Sequence, residues 1–128
     1  SMKLGDYMKA INYTKESLMD SGDEFIEKEY MPFIVNRCLS YFPDTIMQVN
    51  EMNLHSNTDK KMQFDFLSGT IRKSKRFSPW MKEKLPEDIE TVKEYFGYSN
   101  RKAKEALEIL KDEDIENMKN KLSKGGIP

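Results

Sequence analysis

An all-α chain is predicted by three observations. Apolar residues recur three and four positions apart from end to end, alternating strand patterns are nearly absent, and Pro, Gly, Ser and Asp stand where helices would start and stop. A first short helix is expected near Asp6, carrying Leu4, Tyr7, Met8 and Ile11, before Ser21-Gly22-Asp23 breaks the pattern. The acidic stretch 20–29 reads as exposed or loosely helical.

Helices over 33–42 and 43–53 follow. Pro32 suits a helix start, Phe42 ends the first helix because a residue before proline disfavours helix, and Pro43 opens the second, where a missing N–H does no harm. Asn57-Thr58-Asp59 can cap the next helix, whose apolar face is read as Met62, Phe66 and Leu67, with Gly69 weakening it and an end near Ile71. Residues 71–84 form a charged connector with a turn signal at Ser78-Pro79.

Regular spacing then returns. Pro86 opens a helix with Ile89, Val92 and Phe96 on one face, and Gly97 terminates it. Ser99 caps residues 100–110, with Ala103, Ala106, Leu107 and Leu110 inward. Asp112 caps the last helix, with Ile115, Met118 and Leu122 inward and Gly125-Gly126 at its end. These three helices read as a small C-terminal lobe, 85–128, beside a helical region, 1–84, unless the two form one continuous domain. There is no internal repeat.

Composition bounds the function. With 128 residues and 38% hydrophobic content the chain can bury a real core. Lys and Arg number 21 against 22 Asp and Glu, so net charge points to no partner class. The single cysteine, Cys38, cannot pair within the chain and suits a small buried hydrophobe in a reducing, cytoplasmic setting. Apolar runs such as Phe33-Ile34-Val35 are far shorter than the roughly 20 residues that span a bilayer, so no membrane segment is expected. Nor does the N-terminus carry a signal-peptide pattern.

Catalytic readings fail on inventory. The chain has no G-x-x-x-x-G-K-[ST], so no phosphate-cradling loop, and Lys124-Gly125-Gly126 is a helix end. One histidine, His55, and one cysteine cannot build a Cys/His zinc site. Asp112, Glu113 and Asp114 sit where negative charge favours a helix start, so capping outranks acid-base chemistry.

Two segments invite a binding reading. Arg72, Lys73, Lys75, Arg76, Lys82 and Lys84 face only Glu83, with Phe77 and Trp80 between them. Such a patch could neutralise phosphates while the aromatics stack, or it could be a solvated loop anchored by its aromatics. In Pro32–Asn53, Asn36, Asn50, Asn53 and Arg37 stand among apolar residues. A buried asparagine needs a partner, so these helices form either a specified junction within the core or a surface for another chain.

Lys28, Tyr30, Phe33, Val35, Asn36, Leu39, Ser40, Phe42 and Pro43 compose the pattern K-x-Y-x-x-F-x-V-N-x-x-L-S-x-F-P, continued by Met52-Asn53, Lys75-Arg76-Phe77, Trp80 and Lys82. Across residues 28–82 the chain thereby resembles the small non-ATPase A subunit of the sliding-clamp loader of T-even-type phages. The run YFGYSNRKAKEAL, from Tyr95 to Leu107, looks like the shorter members of that family.

The resemblance implies a helical collar-like domain with a small second domain, completing a ring with copies of an AAA+ ATPase. ATP would be bound by those partner subunits and no cofactor by this chain. Expected partners are the AAA+ subunits, the sliding clamp and primer-template DNA within the complex, in the host cytoplasm and with no membrane. Arg72, Lys73, Lys75, Arg76, Trp80 and Lys82 are then candidates for contact with DNA or a partner. Phe33, Asn36, Arg37, Tyr41, Asn50 and Asn53 are candidates for the subunit interface. An autonomous helical nucleic-acid-binding module is the alternative.

Overall fold

The structure, a computed structural model, describes residues 2–76 and 86–125. Among these residues the chain is all-α, without strands. Its helices are α1 Leu4–Lys9, α2 Glu24–Glu29, α3 Pro32–Leu39, α4 Ile46–Leu54, α5 Lys60–Thr70, α6 Pro86–Phe96, α7 Asn100–Leu107 and α8 Asp112–Gly125. A π-helical turn, Ala10–Thr14, continues α1, and a short 3-10 turn covers Leu18–Asp20. The chain divides into two compact units, Ser1–Ser78 and Pro79–Pro128.

Helix α5 is the axis of the first unit, packing against the π-helical turn, α2, α3 and α4. Asp59 caps it by accepting the Met62 N–H at 2.8 Å. Its buried face differs from the expected one. Phe64, Leu67 and Ile71 are buried at i, i+3 and i+7, whereas Met62 is 60% exposed and Phe66 half-buried. The apolar residues of this helix satisfy either face by spacing alone, and three aromatic rings decide between them. Tyr7, Tyr30 and Phe64 meet with centroids 5.2 to 6.5 Å apart in tilted and edge-on pairs. Tyr7 Oη also donates to the Ile26 carbonyl at 2.5 Å, tying α1 to α2.

The proline pair behaves asymmetrically. Pro32 occupies the first turn of α3 as expected, but Pro43 does not open α4. Helix α3 ends at Leu39, and the Tyr41 and Phe42 N–H groups bond three residues back, to Cys38 and Leu39, before the chain turns through 40–45. Thr45 is fully buried there, and its hydroxyl donates to the Leu39 carbonyl at 2.6 Å. That bond satisfies a carbonyl at the end of α3 and sets the start of α4 at Ile46.

In the second unit α6 packs on both α7 and α8. Val92, Ala103, Ala106, Leu107, Leu110, Ile115 and Met118 are buried between them. Gly97 ends α6 at φ +73°, its N–H and that of Tyr98 both reaching the Lys93 carbonyl, at 2.7 and 3.1 Å. Ser99 caps α7 by accepting the Lys102 N–H at 3.3 Å. Helix α7 stops at Leu107, short of the expected 110, yet Leu110 remains buried because its N–H still bonds the Ala106 carbonyl. Asp112 is not the cap of α8: the Asp114 carboxylate accepts the Lys111 N–H at 3.0 Å, so the helix is entered one residue earlier. Among the described residues no helix is long and apolar enough to cross a membrane.

Candidate functional site

The described part of the basic connector, 72–76, is tied to the π-helical turn. Lys15 closes that turn in the left-handed conformation, φ +62°, with its N–H on the Ala10 carbonyl at 2.8 Å. Its ammonium donates to the carbonyls of Ile11, Ser68 and Ile71, so one cation satisfies the end of the turn and the end of α5 together. Burial, with a smaller contribution from the Arg76 charge, lowers the Lys15 pKa. Next to it the Ser74 N–H donates to the Asn12 carbonyl at 2.8 Å.

Arg76 completes the attachment. Its side chain is 4% exposed and its Nη1 donates to Asn12 Oδ1 at 3.2 Å and to the Arg72 carbonyl at 3.0 Å. Nη2 and Nε engage the Asp44 carboxylate at 2.5 and 3.2 Å. Hydrogen bonding from Arg76 holds the Asp44 pKa below the ordinary carboxylate value, against an opposing effect of burial, with the Arg76 and Arg72 charges helping.

The remaining cations face outward. Arg72 is 82% exposed, 3.9 Å from Asp44, while the ammoniums of Lys73 and Lys75 stand 4.7 and 5.4 Å from the centre of the Tyr13 ring. Beside them, α1, the turn and residues 74–76 line an open recess of about 510 Å³. The six contact candidates therefore separate physically. Arg72, Lys73 and Lys75 are exposed, Arg76 is engaged inside the fold, and Trp80 and Lys82 lie outside the described residues.

The interface candidates separate as well. Phe33 is half exposed on α3, and Arg37 lies over the Tyr41 ring at 5.5 Å, with both residues half-buried. Asn50 and Asn53 are exposed on α4, so neither poses a burial problem. Asn36 does: it is 8% exposed and its Oδ1 has no hydrogen-bond partner among the described residues. Sequence reasoning missed Met47 and Leu54, which α4 exposes at 79% and 78%, seven residues apart and so on one helix face with Asn50. Their spacing was the available signal.

No group of His, Cys, Asp or Glu among the described residues is arranged to hold a metal ion. Cys38 is buried and His55 is exposed, beside Glu51 at 3.1 Å.

No curated protein sequence matches the chain. The family described as the bacteriophage clamp loader A subunit matches residues 3–123, a span that covers both compact units from the first helix into the last. The chain belongs to the bacteriophage clamp loader A subunit family.

Proposed function

We propose that this chain is a non-catalytic subunit of a phage DNA polymerase clamp loader, assembling with AAA+ ATPase subunits to load the sliding clamp onto primer-template DNA. The observation that carries the reading is the family match over residues 3–123. The sequence has no phosphate-binding loop, so ATP belongs to the partner subunits. In the assembled loader, residues 1–84 form the collar-like region and 85–128 the accessory lobe.

The collar interface uses the exposed side of α3 and α4: Phe33, Arg37, Tyr41, Asn50 and Asn53, joined by Met47 and Leu54. Asn36 supports this reading through its buried, unbonded Oδ1, a polar atom that a partner donor would satisfy. The basic segment serves a protein contact. Two observations favour that over DNA: Arg76 is occupied by Asp44 and Asn12, and the recess beside Lys75 is lined mostly by carbon.

Co-expression with the ATPase subunit of the same phage tests the reading. A stable complex whose ATPase responds to clamp and DNA is the expected result. A chain that purifies alone and binds DNA tightly at physiological salt would instead be an autonomous nucleic-acid-binding module. The DNA contact has its own signature, a log-log salt slope of about −0.9 per phosphate neutralised. Replacing Arg72, Lys73 and Lys75 with alanine should leave that slope of the assembled loader unchanged.

A further inference from the structure

The cavity under the basic segment has an unusual combination of properties. Its lining surface is mostly carbon, with Gly5, Met8 and Tyr13 among the residues that form it, yet lysines stand around it. Lys9 and Lys75 contribute to the lining itself and Lys73 stands on the Tyr13 ring beside it. Among the described residues, none in its lining is a carboxylate. Two polar groups in the wall are already used: the Asn12 amide oxygen accepts from Arg76 and the Asn12 carbonyl from Ser74.

These features select among occupants. A nucleobase brings polar edge atoms that would lose water in a carbon-lined recess with few groups to bond them, which is unfavourable. An aliphatic or aromatic side chain brings none, and a recess of about 510 Å³ accommodates it easily. The surrounding ammoniums then favour negative charge on either side of that residue.

We propose that this cavity receives one bulky apolar side chain from an acidic segment of a partner protein, whose flanking carboxylates pair with Lys9, Lys73 and Lys75. The inference rests on reading residues 72–76 as a protein contact and adds the chemistry of the segment that makes it. The apolar side chain is the anchor, and the carboxylates set orientation and encounter rate.

Gly5 provides a direct test. A Cβ added there meets nothing within 4 Å among the described residues, so the first atom of a leucine in Gly5→Leu enters open space at a residue that lines the recess. The full chain is titrated with the capped peptide Asp-Glu-Phe-Glu-Asp, a version with Ala for Phe, the neutral Asn-Gln-Phe-Gln-Asn, and an oligothymidylate. The NMR signals of the Met8 methyl and the Ser74 amide are followed.

The acidic Phe peptide should shift both signals, and loss of its ring should weaken binding by about tenfold or more. Gly5→Leu should abolish the shifts while leaving the circular dichroism unchanged. Lys75→Gln should weaken the acidic peptide by about threefold, the weight of an exposed ion pair, without affecting the neutral one. Three results would each overturn the proposal: no shift at millimolar peptide, equal binding by Gly5→Leu, or an oligothymidylate that displaces the peptide. Co-purification with the ATPase subunit is measured separately. An assembled loader without peptide binding removes the cavity proposal alone, whereas failure to assemble removes the proposed function and leaves the peptide titration readable.

Discussion

Arg76 and Asp44 are 32 residues apart in sequence and joined by two guanidinium nitrogens on one carboxylate, with the arginine buried and the aspartate half exposed. An exposed pair contributes little, so the charge interaction alone is not the main consequence. The larger one is Asn12, 3% exposed, whose Oδ1 accepts from the same arginine. Arg76→Ala would strip a donor from that buried oxygen and should cost about 2 kcal/mol. Urea unfolding of the full chain measures it. A change below about 0.5 kcal/mol, the scale of an ordinary surface substitution, would show that the attachment does not support the fold.

The same pair makes stability depend on acid. The Asp44 pKa is lowered in the folded state, chiefly by hydrogen bonding from Arg76. Its contribution is therefore fully present above the unfolded value of 3.8 and is lost as pH falls through the folded value below that. Asp44→Asn should destabilise the protein at neutral pH and flatten the stability profile below about pH 4. Wild type and variant with parallel profiles down to acid unfolding would refute the linkage.

Phe64 and Met62 provide a matched comparison on α5. Phe64 is fully buried against Tyr7 and Tyr30, and Met62 is 60% exposed two residues earlier. Phe64→Ala should cost about 3–5 kcal/mol, enough to unfold a marginal domain, through lost transfer energy and the cavity left behind. Met62→Ala should change stability by less than about 0.5 kcal/mol. Thermal melts of the two variants decide which face of α5 is the core.

That comparison shows where sequence reasoning stops. The α7 face was legible because Ala103, Ala106 and Leu107 leave only one apolar stripe, and local chemistry marks its start at Ser99 and the end of α6 at Gly97. On α5, Met62 and Phe66 offered a stripe as good as Phe64, Leu67 and Ile71, and the choice depends on rings 34 and 57 residues away. The same limit applied at Pro43. A proline announces a boundary, but the start of α4 is set by the Thr45 hydroxyl reaching back to Leu39. For the candidate site, a basic cluster was visible in the sequence, while the difference between Arg76 and its neighbours was not. It arises from Asp44 and Asn12, which no local pattern connects to residue 76.

Met47 and Leu54 carry the last prediction. Two large apolar side chains nearly four-fifths exposed on one helix are common singly, but together with Asn50 they make a face that another chain can cover. Burial by a partner and burial by the fold respond oppositely to a polar substitution. If the face belongs to the collar interface, replacing Met47 and Leu54 with serine should leave the chain's own stability within about 1 kcal/mol, because neither residue supports the core. Assembly with the ATPase subunit should weaken by about 2 kcal/mol or more, roughly thirtyfold, if these residues are anchors of the interface. Asn50→Ala, on the same face but without apolar surface to lose, should have a smaller effect. Analytical ultracentrifugation of the co-expressed complex reads both. A double variant that assembles as tightly as wild type would move the interface off α4 and leave α3, with Phe33, Arg37 and Tyr41, as the remaining face.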